Sequence, residues 1–395
     1  MAMHVEKIYV GGWFQRTTLH LSEIYDFLTV GESPLALDKA KVREMQEALS
    51  LSCVELKISE LEYIHVETKS GFDIDIFEDG LIVLGTESAS DTPEVQARIG
   101  ALTSYYEKKL SPALSYIFSL GAPMPKELAN IKTIYPYFLV VSGAKKSDVE
   151  TLLEEFHEAK HFEIQNPQFE IYRGDKLYVI LKKKASLEGI RRFIEEQIFI
   201  REFKGQLHRY LNLHRTIWER IAAVKERGEI RGKDVPELNT KIESYAKTIN
   251  LIGARINQMS AYLKTRESIA AKDERMQEFT GVLRFKHEEL GDTLVYIKEI
   301  WAMTKNYVEA AQKLFVAIQA KSTEASVKNL TIITSMGVGA TLIGLFAQKV
   351  PTFTVVSFGY FFALVFFGFA ADKIVRWTAK NRMYKIEDAD IAKDL

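Results

Sequence analysis

NLTIITSMGVGATLIGLFAQKVPTFTVVSFGYFFALVFFGFAA, residues 329–371, is the stretch that decides the predicted fold. No charged residue occurs in 329–347 or in 352–371, and only the short turn 348–351 separates the two runs. Each run has about the 20 residues that an α-helix needs to cross the hydrocarbon core of a bilayer. Two such runs in succession are unusual in a soluble core. The sequence therefore predicts a two-helix transmembrane hairpin over 329–371.

The basic residues around the hairpin predict its orientation. The turn carries Lys349 alone, whereas the flanks carry Lys321, Lys328, Lys373, Arg376, Lys380, Arg382 and Lys385. Because basic flanks tend to remain in the cytoplasm, we expect a two-pass protein of the plasma membrane with the turn outside. Both termini are then cytoplasmic, and residues 372–395 form a basic cytoplasmic tail.

A helical stalk region, predicted over 186–328, precedes the hairpin. From about residue 285 its seam residues recur in alternating steps of four and three, which is the period of a coiled coil. They are Leu290, Leu294, Ile297, Trp301, Thr304, Val308, Ala311, Phe315, Ile318, Ser322 and Ala325. The same spacing fits a helix packed on its own domain, so we expect both self-association and packing within the chain.

The first apolar run has a mostly small or polar face that continues the stalk. Helical spacing places on it Leu330, Thr334, Val338, Thr341, Leu345 and Gln348. Several copies gathered around an axis can line a pore with this face, and Glu324 and Lys349 then form charged rings at its entrances. The alternative is that the hydroxyl groups bond to carbonyls of their own helix.

The stretch VKNLTII (327–333), followed by Thr341 and Ile343, resembles the start of the pore helix in the CorA superfamily of divalent-cation channels. The long stalk, the two membrane helices and the basic tail strengthen the resemblance, which covers about 285–380. It implies a homopentamer in the bilayer, with the N-terminal domain in the cytoplasm. It also implies divalent cations as transported or regulatory ions.

The outer turn departs from that family. Its pore helix ends in Tyr-Gly-Met-Asn, whereas a gapless alignment places Ala347, Gln348, Lys349 and Val350 there, and Gly-Met-Asn occurs nowhere in this chain. A ring of Lys349 side chains would repel divalent cations, so selectivity for magnesium is not expected. Three interpretations stay open: a cation channel, an effector that opens a nonselective pore when it binds a cytosolic signal such as a nucleotide, and a membrane-tethered scaffold.

Residues 1–185 have the pattern of an α+β cytoplasmic domain. Apolar runs predict strands at about 5–13, 53–58, 62–67, 72–77, 81–85, 134–142, 161–165, 168–173 and 176–182, with helices from about 92 and over 146–159. The hairpins FDIDIFEDGLIVL (72–84) and FEIYRGDKLYVIL (169–181) look alike. They favour two related β-α-β-β-β-α units, 1–120 and 130–185, although chance similarity explains them as well.

Composition and motifs exclude some function classes. With 52 basic and 53 acidic residues, no nucleic-acid partner is expected. The single Cys53 rules out a disulfide within the chain. No nucleotide-loop, zinc-protease or nucleophile-elbow motif occurs, so we predict neither an enzyme nor a bound cofactor. Asp73 and Asp75 share one face of a strand and can hold a divalent cation between them, although a solvated strand face is the simpler explanation.

Overall fold

The computed structural model describes residues 4–13, 20–89, 91–118, 134–225, 229–274, 279–346, 362, 366, 369–370, 373–374, 377–378 and 380–385. Between 321 and 346 it describes the backbone and, of the side chains, only Glu324 and Thr334. The chain forms two compact units. The first comprises Met1–Leu211 and Ala254–Lys298, and the second comprises Asn212–Gly253 and Glu299–Leu395.

Nine strands form one mixed sheet in the first unit, in the order β2-β3-β4-β5-β1-β6-β9-β8-β7. Their bounds lie close to the predicted ones: β1 (His4–Trp13), β2 (Leu51–Lys57), β3 (Tyr63–Thr68), β4 (Phe72–Phe77), β5 (Leu81–Ala89), β6 (Tyr137–Ser142), β7 (Phe162–Gln165), β8 (Phe169–Arg173) and β9 (Leu177–Lys182). Both predicted hairpins, β4–β5 and β8–β9, are present and antiparallel.

Short helices connect these strands. They are α1 (Leu21–Val30), α2 (Lys39–Ala48), α3 (Thr92–Tyr105), α4 (Ser111–Ile117) and α5 (Lys146–Glu155), with a π-helical turn, Tyr106–Leu110, joining α3 to α4. The Asp91 side chain caps α3 by accepting a hydrogen bond from the backbone of Glu94. Helix α5 ends four residues before the predicted 159. His157, with φ 56°, and His161 therefore do not lie one turn apart on a helix.

The two halves of the sheet share one strand order. In each, a central strand (β1 or β6) leads through helices to an outer strand, and a meander returns to the centre. Four returning strands in the first half make β5 antiparallel to β1, and three in the second make β9 parallel to β6. The first half thus has one more strand than the predicted β-α-β-β-β-α unit, and two helices, α1 and α2, between β1 and β2 where the unit has one.

The two faces of the sheet pack on different elements. One face forms a continuous core with α1–α5, in which Ile8, Leu84 and Leu139 are wholly buried. On the other face Trp13 of β1 lies 5.7 Å, ring to ring, from both Phe199 and Phe203 of a long helix, α6 (Leu187–Lys225). The polar side chains of the candidate functional site lie on this second face of the sheet.

Three long helices make up most of the remaining described chain: α6, α7 (Val235–Lys272) and α8 (Thr280–Phe346). The mixed α/β domain followed by long helices agrees with the predicted soluble fold. The described seam residues of α8, from Leu290 to Ile318, are all buried in a single chain. In the second unit the Trp218 and Tyr307 rings stack at 4.4 Å, and Thr304 bonds to His214 at 2.9 Å. The seam is therefore covered by packing within the chain.

The predicted transmembrane hairpin is only partly described. Among the described residues, no helix combines the length and the apolar character needed to cross a membrane. The turn 348–351 and most of 352–371 lie outside the described residues, as do most side chains of 329–347. The hairpin stays a prediction.

Candidate functional site

A cavity of about 280 Å³ opens on the second face of the sheet. Its walls come from β1, β4, β5 and the start of α6, and its lining residues are Lys7, Tyr9, Asp73, Asp75, Val83, Gly85, Leu187, Glu188 and Arg191. Because alternate strand residues point to the same side, Lys7 and Tyr9 share this face, as do Asp73 and Asp75. The predicted placement of the two aspartates on one face is therefore seen.

Gly85 makes room for the aromatic wall of the cavity. It lies opposite Tyr9 on one side and Asp73 on the other. A Cβ atom at Gly85 would lie 3.1 Å from Cε1 of Tyr9, so the bare backbone allows the ring to lie across β5. Burial raises the pKa of Tyr9 to about 12, although Arg191 opposes the shift. The phenol is therefore a neutral hydrogen-bonding group at physiological pH.

Each aspartate of the cavity has its own cationic partner. Asp75 is 2% exposed and pairs with Arg191 and with Nδ1 of His65, the latter at 2.7 Å. The Asp73 carboxylate lies 3.4 Å from the Lys7 ammonium. Among the residues that the structure describes, no group of three or more His, Cys, Asp or Glu side chains could hold a metal ion. The cavity thus presents paired charges of both signs.

Arg191 ties the sheet to α6. Besides Asp75 it contacts Glu195, whose Oε1 lies 3.4 Å from its Nε. Burial raises the pKa of Glu195, although Arg192 and Arg191 oppose the shift. A ligand that competes for Arg191 would therefore disturb a contact between a strand and a helix.

A second charged cluster is wholly buried near the β4–β5 turn. Arg266 of α7 bonds to both Asp79 oxygens, at 2.7 and 3.1 Å, and to Glu196 of α6 at 3.0 Å. Its guanidinium also lies 5.0 Å from the Phe77 ring centre. Burial alone lowers the pKa of Arg266, but Asp79 and Glu196 raise it above its ordinary value. This cluster joins the sheet, α6 and α7 through one cation.

His287 brings α8 into the same cluster. Its Nε2 lies 3.3 Å from Oε2 of Glu196. The contact lacks hydrogen-bond geometry, and neither buried atom has a hydrogen-bond partner among the described residues. Both carboxylates of the cluster face Arg266, and the His287 ring lies beside the second of them.

The predicted pore residues are only partly placed. Leu330, Val338, Thr341 and Leu345 lie within α8, but their side chains are outside the described set. Glu324 and Thr334 are exposed in the single chain, and Gln348 and Lys349 lie outside the described residues. The pore assignment therefore stays a prediction.

Five residues of these two charged clusters were not predicted from the sequence: Lys7, Tyr9, Arg191, Arg266 and His287. For Arg266 and His287, the sequence contains a pattern that could have predicted their burial. Arg266 falls at a seam position of α7, and His287 falls at a seam position of α8. Buried α7 residues at the same helical spacing are Ile256, Met259, Leu263 and Ala270, and Leu283 and Leu290 flank His287 on α8. A charged residue in an apolar stripe predicts a buried, paired charge.

Comparisons with known proteins found only distant similarity. No protein-family profile matches it, and no curated protein sequence matches it. Among solved structures, the soluble domain of CorA from Methanocaldococcus jannaschii is similar at 10% identity and a TM-score of 0.24. That match covers 50% of this chain and 94% of the archaeal one. A likeness at this level carries no argument about function.

Proposed function

We propose that this protein is a homo-oligomeric, CorA-like ion channel or transporter of the plasma membrane, whose cytoplasmic α/β domain controls a pore. The observation that carries the proposal is the continuity of α8, which runs without a break from Thr280 to Phe346. One helix of about 100 Å, at 1.5 Å per residue, thus bears both the buried seam and the uncharged stretch 329–346. Such a helix can pass a displacement of the domain to the predicted pore face.

Exposed aromatic residues in the second predicted span support a membrane location. Phe362, Phe366 and Phe369, at helical spacing, are 65%, 70% and 74% exposed in the single chain. Trp377 follows at the predicted membrane boundary and is 66% exposed. Large apolar surfaces of this kind suit lipid, with the Trp as an interfacial anchor.

The outer side of α8 supports self-association. The seam is already covered, but Val295, Tyr296, Met303 and Val316 are each more than half exposed. Tyr296 and Met303 are one heptad apart, and Val295 and Val316 are three heptads apart. This spacing would keep them on one side of a helix, where a second copy can cover them. Five copies follow from the family resemblance alone.

Ion flux into vesicles tests the channel proposal. The full chain is reconstituted, and flux of monovalent and divalent cations is followed under a concentration gradient. We expect flux with little preference for magnesium, because Lys349 occupies the outer turn. No flux under any gradient, with or without added cytosolic ligands, would sink the proposal.

A matched pair of substitutions tests the pore face. Thr341→Leu places a bulky apolar group on the predicted face and should lower conductance severalfold. Ala340→Leu also places a bulky apolar group at a small residue, but on another side of the helix, and should leave conductance close to wild type. Equal effects would remove Thr341 from the pore.

The second candidate is an effector that opens its pore when a cytosolic signal such as a nucleotide binds. The cavity next to α6 favours it, since Lys7, Arg191 and the Tyr9 phenol can meet phosphate or other polar groups there. Calorimetry with a panel of nucleotides, repeated on Arg191→Gln, tests this. Flux that appears only with a bound ligand would support the effector over the constitutive channel. Absence of binding by the whole panel would remove nucleotides as the signal.

A further inference from the structure

The basic tail pairs with the loop between α6 and α7 in the second unit. Strand β10 (Glu229–Arg231) lies in that loop, and β11 (Met383–Lys385) follows the predicted second span. The two strands are antiparallel, with Ile230 opposite Tyr384 and Arg231 opposite Met383. The backbone N–H groups of Gly232 and Lys233 also donate to carbonyls of Arg382 and Lys380, at 2.9 and 3.0 Å. We call this pair of strands with its flanking residues 232–233 and 380–382 the tail ribbon.

The tail ribbon has an apolar and a basic side. Ile230 and Tyr384, which are 3% and 9% exposed, face inward. Met383 is 47% exposed, and Arg231 opposite it is also exposed. Strand alternation explains the division, because neighbouring residues point to opposite faces. The outer side is therefore available to a partner.

Four cations of the ribbon are exposed: Arg231, Lys233, Lys380 and Arg382. Among the described residues none of them forms an ion pair, and the Arg382 guanidinium lies 5.9 Å from the centre of the Tyr384 ring. Exposed cations elsewhere on the helices commonly pair within one turn, as Lys241 does with Glu237. Within the ribbon Glu229 is the one acidic residue. This cluster of exposed cations, without ion pairs among the described residues, suits an anionic partner.

Position and neighbouring residues identify that partner. Lys380 follows the predicted end of the second span, residue 371, by about 14 Å along a helix. Residues 373, 374, 377, 378, 380 and 381 are helical, and Ile374 and Trp377 are 61% and 66% exposed. Cations beside exposed aromatic and apolar groups, close to a bilayer, fit the headgroup region of a membrane.

We propose that the tail ribbon is a docking surface for anionic phospholipid headgroups, through which the α6–α7 loop of the soluble part contacts the bilayer surface. The proposal rests on the membrane hairpin of the proposed function. It adds that the loop residues Arg231 and Lys233, far from the hairpin in sequence, bind lipid. The backbone pairing holds these two cations beside Lys380 and Arg382, so the four act on the same headgroups.

Site-specific fluorescence in vesicles tests the proposal. Cys53 is the single cysteine, so Cys53→Ser gives a cysteine-free full chain. A dye is attached at Met383→Cys in one protein and at Phe366→Cys in another. Vesicles of phosphatidylcholine, with or without phosphatidylglycerol, carry nitroxide quenchers on headgroups or on acyl chains. We expect headgroup quenching at 383 to rise at least twofold with phosphatidylglycerol and to return to the lower level in high salt.

Charge variants distinguish binding of lipid headgroups by the tail ribbon from mere proximity of residue 383 to the bilayer. Arg231→Glu with Lys233→Glu should abolish the phosphatidylglycerol-dependent rise at 383, and the Gln pair should reduce it. Lys69→Glu with Lys184→Glu, the same charge change at exposed residues of the first unit, should leave it unchanged. The docking surface is overturned if quenching at 383 does not change with phosphatidylglycerol or with the loop variants. The hairpin remains supported in that case, provided that the dye at 366 is quenched by acyl-chain nitroxides. An unquenched dye at 366 overturns the hairpin and the docking surface together.

Discussion

At the scale of single residues, buried charge holds the first unit together. Arg266 pairs with two carboxylates, Asp79 of the β4–β5 turn and Glu196 of α6, and its side chain is 3% exposed. Coulomb attraction is strong in such an environment, but desolvation of each ion is costly, so the cluster is tolerated only when every charge has a partner. Removing one partner leaves the others buried and unpaired.

Arg266→Met should therefore lower the free energy of unfolding by about 3–5 kcal/mol, because Asp79 and Glu196 lose their shared cation. Denaturant unfolding of the full chain, followed by circular dichroism, measures the change. Arg284→Met is the matched control. Arg284 forms an exposed pair with Glu288 on α8, so the loss there should stay below about 1 kcal/mol. Similar losses for the two variants would contradict the buried cluster.

His214 offers a second test at this scale. The Thr304 hydroxyl donates to the carbonyl of Ile300, so the His214 Nδ1–H donates to Thr304 Oγ1. Burial lowers the pKa of His214. The unfolded chain thus binds this proton more readily, and stability falls as the pH decreases below about 6.5. His214→Gln should show a weaker loss between pH 7 and pH 5.5, and an unchanged loss would contradict this origin.

At the scale of elements, close contact between strands limits which residues the sheet accepts. A Cβ atom at Gly11 of β1 would lie 2.3 Å from the backbone oxygen of Ile82 in β5. The carbonyl of Gly11 also accepts a hydrogen bond from Arg201 of α6 at 2.9 Å. Close packing against β5 and the hydrogen bond from α6 therefore hold β1 in position.

Gly11→Ala should destabilise the fold by about 1–3 kcal/mol, because β1 and β5 must move apart. Gly100→Ala is the control, since nothing lies within 4 Å of its added Cβ in α3. That change should stabilise the protein by about 0.5–1 kcal/mol through higher helix propensity. Thermal unfolding of both variants measures the difference, and equal melting temperatures would refute the close approach.

At the scale of the whole molecule, the covered seam of α8 changes how self-association is explained. The 3.5-residue period is satisfied within one chain, so we expect the proposed self-association to use the exposed outer residues instead. These include Tyr296 and Met303, which are 57% and 60% exposed.

Tyr296→Glu with Met303→Glu should therefore shift the protein in detergent towards monomer, because charges replace the apolar contact between copies. Light scattering coupled to gel filtration gives the mass. Asn257→Glu with Lys264→Glu, at exposed residues of α7, is the control and should keep the wild-type mass. An unchanged oligomer in the first variant would place the interface elsewhere.

The strand positions were predictable, whereas the site was not. Strands such as β1, β4 and β9 coincide with local apolar runs, so their bounds are close to the prediction. Neither α1 nor α2 was located from the sequence, and α2, a short polar helix with one buried residue, Val42, has little periodic signal. The cavity depends on Arg191 meeting Asp75 across more than a hundred residues, and no local pattern encodes such a contact.

By itself, the sequence determined the succession of strands and long helices, the uncharged stretches 329–347 and 352–371, and the absence of Gly-Met-Asn in the turn. These properties are local, since hydrophobic period and charge depend only on near neighbours in the chain. Only the tertiary structure decided the partners: Asp75 with Arg191, Arg266 with Asp79 and Glu196, the α8 seam within its own chain, and the tail with the α6–α7 loop. Partners depend on which distant segments pack together, and packing is a property of the whole fold.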